Sequence, residues 1–196
     1  MANLAQIRKS LASHITNPMV GALNKIGVKP NALTFLGLAI NVGAAYVIAI
    51  NHLFLGGILV LVSGLFDLLD GALARFANQT TKFGAILDST VDRISEAAIF
   101  CGLLVWYIPR GSTLEIMLIF AVLVGSFLTS YIRARAEGLG LECQVGLFTR
   151  AERVIVLATG LLVNQVFIVL WILVVFVYIT VVQRLLYLSK QKVRSE

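Results

Sequence analysis

The chain has 196 residues, of which 59% are hydrophobic and 13% are charged, and its mean hydropathy is +0.91. This composition excludes an ordinary soluble domain and predicts an all-α polytopic membrane protein. The formal net charge of +6 indicates basic residues beside membrane spans, which attract anionic lipid headgroups, and we discount nucleic acid as a partner.

The N-terminal region, residues 1–31, is predicted to lie at the membrane surface. The apolar side chains of a predicted helix over residues 4–16 share one stripe, formed by Leu4, Ile7, Leu11 and Ile15. Polar and basic residues occupy its other positions, which is typical of a helix lying in the interface. We therefore expect an amphipathic interfacial helix before the membrane core.

Six apolar segments follow, and we interpret them as membrane helices. They cover residues 32–50, 53–69, 91–108, 114–132, 151–163 and 166–182. Together they form a six-helix core over residues 32–188, with a basic tail over residues 189–196, in a single domain over residues 1–196. Just before the first segment, Pro30 keeps Lys29 out of helical geometry, so Asn31 is expected to cap a helix beginning at Ala32.

The fifth segment is short for a span, which needs about 20 apolar residues. It opens with Thr149 and Glu152 in the spacing of a capping box. We expect its first turn to line a polar cavity instead of lipid.

The basic residues lie on one side of this arrangement. All of the 16 Lys and Arg residues except Arg110 fall in the termini or in the segments 70–93 and 133–153. By the positive-inside rule both termini are cytoplasmic, as an even number of spans requires. The expected location is the cell (plasma) membrane, as a multi-pass protein surrounded by membrane lipids.

Acidic residues interrupt the apolar chain where the second and third segments meet, at Asp67, Asp70, Asp88 and Asp92. The first two are three residues apart and the last two are four apart, so each pair shares a helix face. Carboxylates near hydrocarbon are costly, and four that converge repel one another unless cations neutralise them. Because carboxylates suit hard cations, we predict two Mg²⁺ or Mn²⁺ ions here. The alternatives are capping or interfacial roles for the first pair and an exposed stripe for the second.

These aspartates belong to a longer pattern, D-x2-D-G-x2-A-R-x8-G-x3-D-x3-D. The pattern resembles the signature of the CDP-alcohol phosphotransferases, integral membrane enzymes that transfer a phosphatidyl-type group from a CDP-linked lipid to an alcohol and release CMP. The resemblance implies that all four aspartates bind metal and that Asp92 is also the general base. Glu96 lies one turn further on, outside the pattern, and is expected to form a structural ion pair or hydrogen bond.

The resemblance also implies a site for the lipid substrate, CDP-diacylglycerol. The glycines of the pattern let the backbone approach a nucleotide, and the Arg75 guanidinium matches phosphate oxygens. The residues assigned to this substrate are Asn31, Thr34, Gly71, Ala74, Arg75 and Gly84. A homodimer is implied by the resemblance alone.

A basic, glycine-bearing loop before the fifth segment indicates a pocket for an anionic acceptor. Its sequence, and the PNALT segment near residue 30, resemble the bacterial phosphatidylinositol phosphate synthases, which use inositol 1-phosphate. By this analogy the acceptor phosphate is bound by Ser130, Arg133, Arg135 and Arg153, with Arg150 as a competitor. The alternative for any one arginine is membrane anchoring, the role assigned to Arg184.

The predicted reaction is transfer of the phosphatidyl group of CDP-diacylglycerol to inositol 1-phosphate, by in-line displacement at phosphorus. Within the family, the alternative is a phosphatidylglycerol phosphate synthase that uses glycerol 3-phosphate. Outside it, the alternative is a divalent cation transporter, because intramembrane acids often mark ion pathways.

Overall fold

The computed structural model describes residues 19–192 as helices joined by short connections. The long helices are α1 (Pro30–Ala49), α2 (Leu53–Phe76), α3 (Lys82–Tyr107), α4 (Thr113–Gly138), α5 (Arg150–Leu162) and α6 (Val166–Lys192). A short helical segment over residues 19–25 precedes α1, and a 3-10 turn, Ile108–Arg110, follows α3. No strand occurs within residues 19–192, in agreement with the all-α prediction. The predicted interfacial helix over residues 4–16 lies outside the described residues.

Four of these helices are long and apolar enough to cross a membrane, namely α1, α2, α4 and the Val166–Gln191 part of α6. Their outward faces carry large exposed apolar side chains such as Phe54 and Phe120, as expected for helices that contact lipid. The chain therefore has the features of a polytopic membrane protein. Helix α3 has 26 residues with a polar first half, and α5 has only 13.

The buried core connects all six long helices. Its fully buried side chains include Ile48 of α1, Val60 of α2, Phe100 and Leu103 of α3, Ile119 of α4, Leu161 of α5 and Leu170 of α6. Because these residues interlock across the bundle, the polar ends of α2, α3 and α5 are held at one end of a rigid frame.

The helix ends differ from the sequence expectation in two places. The prediction that Asn31 caps a helix beginning at Ala32 is wrong, because α1 begins at Pro30 with Lys29 as its N-cap. Proline is favoured at the first helical position, since its φ is preset and it has no N–H to leave unsatisfied. Helices α2 and α3 also extend beyond the predicted spans, which places all four aspartates on helices.

The capping box at the start of α5 is confirmed. The Thr149 backbone N–H donates a hydrogen bond to Glu152 Oε2 at 2.8 Å, and the reciprocal bond is also present. This local signal fixes where α5 begins and therefore where its first residue, Arg150, stands.

Gly102 lets α3 pack directly against the backbone of α1. A methyl group added there would lie 2.4 Å from the Ala45 carbonyl oxygen, a clash that only a helix shift could relieve. We expect Gly102→Ala to destabilise the protein by about 1–3 kcal/mol, seen as a lower melting temperature in detergent. The matched control is Gly43→Ala, because nothing lies within 4 Å of a methyl group added at that position of α1. A similar loss in the control would contradict the packing argument.

Candidate active site

The two carboxylates near the C-terminal end of α2, those of Asp67 and Asp70, lie against α1. The Thr34 hydroxyl donates a hydrogen bond to Asp70 Oδ2 at 2.6 Å, and both residues are 4% exposed. A methyl group added at Gly37, one turn further along α1, would lie 3.2 Å from Asp67 Oδ1. Helix α1 therefore orients Asp70 through a buried hydrogen bond and approaches Asp67 closely enough to limit its movement.

Asp67 of α2 and Asp92 of α3 share one cationic partner. Arg150, the first residue of α5, places Nη2 at 2.6 Å from Asp67 Oδ2 and Nη1 at 2.8 Å from Asp92 Oδ1. The second contact is within ion-pair distance but lacks hydrogen-bond geometry, and Asp92 Oδ1 has no hydrogen-bond donor among the described residues. Because one guanidinium contacts both carboxylates, both face the same point.

A groove with a volume of about 190 Å³ opens beside Asp70 and Asp88. Its lining includes all of the residues predicted to hold the CDP-linked lipid, namely Asn31, Thr34, Gly71, Ala74, Arg75 and Gly84. At Gly84 the backbone N–H donates to Thr81 Oγ1 at 2.9 Å, which caps α3 at the edge of the groove. Residues from three helices thus meet around one concave surface.

The residues predicted to hold the acceptor phosphate do not all lie together. Ser130 and Arg133 of α4 line a second, wider cavity of about 960 Å³, which Asp88 and Asp92 also line. Arg135 is exposed on the same helix but is not among the residues that line this cavity. Two of the predicted contacts therefore line the same cavity as the aspartates of α3.

Arg153 lies deeper, one turn along α5 from Arg150. Its Nε and Nη2 donate to the two carboxylate oxygens of Glu96 at 2.8 and 2.9 Å. The two side chains are 5% and 11% exposed. The expectation that Glu96 forms a structural ion pair is confirmed. The contact between Arg153 and an acceptor phosphate stays a prediction, since Glu96 already uses one full edge of the guanidinium.

Arg184 has a role that the sequence did not indicate. It was expected to anchor the chain at the membrane surface, yet it is 6% exposed. Its Nε donates to the Val145 carbonyl at 3.0 Å, and Nη1 contacts the Thr129 carbonyl. Arg184 therefore ties α6 to α4 and to the loop before α5, and the anchoring interpretation does not hold for it. The residues around Arg184 in the sequence do not distinguish these two roles, because an arginine near the end of an apolar helix is expected both when it anchors at the membrane surface and when it turns inward.

The donor set at this end of the bundle fits a hard divalent cation. All four predicted ligands are carboxylates, Asp92 Oδ1 lacks a hydrogen-bond donor within residues 19–192, and Asp67 and Asp92 face one point. Among the described residues, however, no three Asp, Glu, His or Cys side chains are grouped closely enough to hold a metal ion. The guanidinium of Arg150 contacts two of the carboxylates, and the four-aspartate ligand set stays a prediction.

The chain matches a known family over most of its length. Residues 28–188, which include every candidate site residue, fit the family model for CDP-alcohol phosphatidyltransferase. The chain is 39% identical over 180 residues to the phosphatidylinositol phosphate synthase of Mycobacteroides abscessus, covering 87% of this chain and 82% of that protein.

Solved structures agree with this match. The phosphatidylinositol phosphate synthase of Mycobacterium tuberculosis with CDP-DAG bound has a TM-score of 0.79 at 39% identity, covering 88% of this chain and 92% of that one. The same protein in complex with manganese and citrate has a TM-score of 0.78 at 39% identity, covering 87% of each chain. The likeness therefore extends from sequence to the arrangement of the helices.

Proposed function

Because the chain belongs to the CDP-alcohol phosphatidyltransferase family, we propose that it is an enzyme that acts on CDP-diacylglycerol. The proposed reaction transfers the phosphatidyl group of this lipid to a hydroxyl of inositol 1-phosphate and releases CMP. The observation that carries the proposal is the single groove lined by Asp70, Asp88 and all of the predicted CDP-lipid residues. The CDP-DAG complex of the similar M. tuberculosis synthase supports the choice of donor.

The two substrates would meet at α3. Asp88 lines both the groove and the wider cavity, so it lies between the donor and acceptor sites. In the groove, Arg75 is placed to pair with the pyrophosphate, and Gly71 lets the backbone of α2 approach it. In the cavity, the proposed general base is Asp92, whose carboxylate lines the cavity beside Ser130 and Arg133 and would accept the proton of the attacking hydroxyl.

A requirement for divalent cations follows from the family and from the manganese complex of the similar synthase. We propose two Mg²⁺ or Mn²⁺ ions, held by Asp67, Asp70, Asp88 and Asp92. When bound, such ions stabilise negative charge on the transferring phosphate and on the departing CMP. The protein's own contribution is to hold the carboxylates on two helices that both pack against α1, and to orient Asp70 through Thr34.

An anionic acceptor is supported by the cationic side chains around the wider cavity. Ser130 and Arg133 are the best placed to bind its phosphate, because they line this cavity with Asp92. Arg135, Arg150 and Arg153 are proposed as further contacts. The names of the similar synthases favour inositol phosphate over glycerol 3-phosphate.

We further propose that α3 and α5 complete a six-span bundle over residues 32–188, in one domain. The distribution of Lys and Arg supports cytoplasmic termini in the plasma membrane. A homodimer is proposed on the family resemblance.

The reaction is tested by incubating the purified protein with CDP-diacylglycerol and Mg²⁺ and identifying the lipid product by mass. Inositol 1-phosphate, glycerol 3-phosphate and free inositol are supplied in separate reactions. We expect phosphatidylinositol phosphate from the first acceptor, and no product once EDTA is added. Product from glycerol 3-phosphate alone would overturn the acceptor assignment, and divalent cation uptake into vesicles without any lipid product would favour a transporter.

Separate substrate sites predict separate kinetic effects. Arg75→Gln should raise the KM for CDP-diacylglycerol about tenfold, since one charge-assisted phosphate contact is lost, and change the acceptor KM by less than about twofold. Arg133→Gln, which alters the wider cavity, should show the opposite pattern. Equal effects on both KM values in both variants would contradict the division into two sites.

A further inference from the structure

Helix α5 is joined to α3 by two ion pairs one helical turn apart. Arg150 contacts Asp92, and Arg153 contacts Glu96. The arginines are three residues apart on α5 and the acids four apart on α3, so the two arginines share one helix face and the two acids share another. Only the first pair includes aspartates of the proposed cation site, because Glu96 lies outside the aspartate pattern.

The two arginines are bound to different degrees. Arg153 is 5% exposed and is held along one edge by a single carboxylate through two hydrogen bonds. Arg150 is 24% exposed and is divided between carboxylates of two helices. Its buried Nε has no hydrogen-bond partner among the described residues. The Arg150 contacts are therefore less completely satisfied and more readily exchanged than those of Arg153.

We propose that Arg150 and a divalent cation compete for Asp67 and Asp92, so that cation binding displaces the Arg150 guanidinium from both carboxylates. This proposal rests on the proposed function, which supplies the cation. The guanidinium nitrogens lie 2.6 and 2.8 Å from one oxygen of each carboxylate. A Mg²⁺ ion needs such oxygens at about 2.0–2.1 Å, so the two cations cannot occupy the point together.

In this exchange the negative charges of Asp67 and Asp92 always have a cationic partner, either Arg150 or the divalent cation. Asp67 and Asp92 are 13% and 15% exposed, and leaving two such charges without a partner would be strongly unfavourable. Arg150 supplies a protein cation that can be replaced without unfolding, because it lies at the first position of its helix. Once displaced, its guanidinium is free to bind the acceptor phosphate, which links cation binding to acceptor binding.

The unaltered protein provides the first test. Phenylglyoxal modifies accessible arginines, and peptide mass spectrometry measures the rate at each position with and without saturating Mn²⁺. We expect Mn²⁺ to raise the modification rate of Arg150 about tenfold as its population shifts, and to leave Arg153 protected by Glu96 as an internal control. An unchanged or lower rate at Arg150 would overturn the proposal.

Mn²⁺ affinity provides the second test, with the free ion measured by electron paramagnetic resonance. Arg150→Gln should lower the Kd for Mn²⁺ about tenfold, since the competing cation is removed. Arg133→Gln is the charge-matched control, because its guanidinium is exposed and pairs with Glu137, and it should change the Kd by less than about twofold. A weaker affinity in Arg150→Gln, or an equal gain in both variants, would overturn the competition.

Product analysis separates this proposal from the proposed function. If the unaltered enzyme makes phosphatidylinositol phosphate while Arg150 stays protected at saturating Mn²⁺, the competition is wrong and the function stands. If Mn²⁺ exposes Arg150 but no phosphate acceptor gives a lipid product, the function is wrong and the competition stands.

Discussion

Replacing Asp92 with Asn is expected to abolish turnover while leaving CDP binding largely intact. The amide has nearly the same shape as the carboxylate but cannot accept the proton of the attacking hydroxyl. Loss of a positioned general base lowers rates by about 10²–10⁴-fold, and loss of a proposed cation ligand adds to this. CDP binding should persist because Asp92 lines the wider cavity and is not among the residues of the groove. CMP release measures turnover, and calorimetry measures CDP binding.

Asp88→Asn is the natural comparison for this variant. Asp88 lines the groove as well as the cavity, so its replacement should weaken CDP binding in addition to slowing turnover. Acceptor-dependent CMP release at a normal rate in Asp92→Asn would remove Asp92 as the base. A loss of CDP binding as large as in Asp88→Asn would show that the two aspartates do not divide their roles as proposed.

Breaking the ion pair between Arg153 and Glu96 is expected to have the largest effect on stability. Arg153→Met leaves the Glu96 carboxylate, which is 11% exposed, without its only ion-pair partner among the described residues. Removing one partner of a buried pair typically costs about 3–5 kcal/mol, because the other charge stays buried and unpaired. The melting temperature of the detergent-solubilised protein measures this loss.

The double variant Glu96→Leu/Arg153→Met provides the control. Replacing both partners by apolar side chains removes the unpaired charge, so most of the lost stability should return. A double variant as unstable as the single one would show that the cost arises from packing and not from charge. The stable double variant also tests acceptor binding, since a normal KM for inositol 1-phosphate would exclude Arg153 as a phosphate ligand.

The features that could be predicted from the sequence have short-range causes. The capping box of α5 needs only Thr149 and Glu152, and it forms as expected. The groove residues were assigned through the family resemblance of a short motif and of Asn31 and Thr34, and these residues do line one surface. Asn31 shows where local signals compete, since a proline at the first helical position took precedence over an asparagine that could have capped the helix.

The features that could not be predicted depend on how distant helices are rotated. Arg150 meets Asp67 and Asp92 because α5 begins at a particular depth and presents a particular face to α2 and α3. No residue near Arg150 in the sequence carries this information. The same holds for Arg184. Its side chain points inward because it contacts backbone carbonyls of α4 and of the loop between α4 and α5.

The short length of α5 has a consequence for how a membrane lipid and a water-soluble substrate could meet. Its 13 residues extend about 20 Å, whereas the hydrocarbon layer is about 30 Å thick. If α5 spans the bilayer as proposed, its charged first turn would start below the level at which neighbouring helices emerge, and water would follow it inward. The proposed sugar-phosphate acceptor could then reach the headgroup of the proposed lipid donor in a local depression of the bilayer, while the acyl tails of the donor remain in their leaflet.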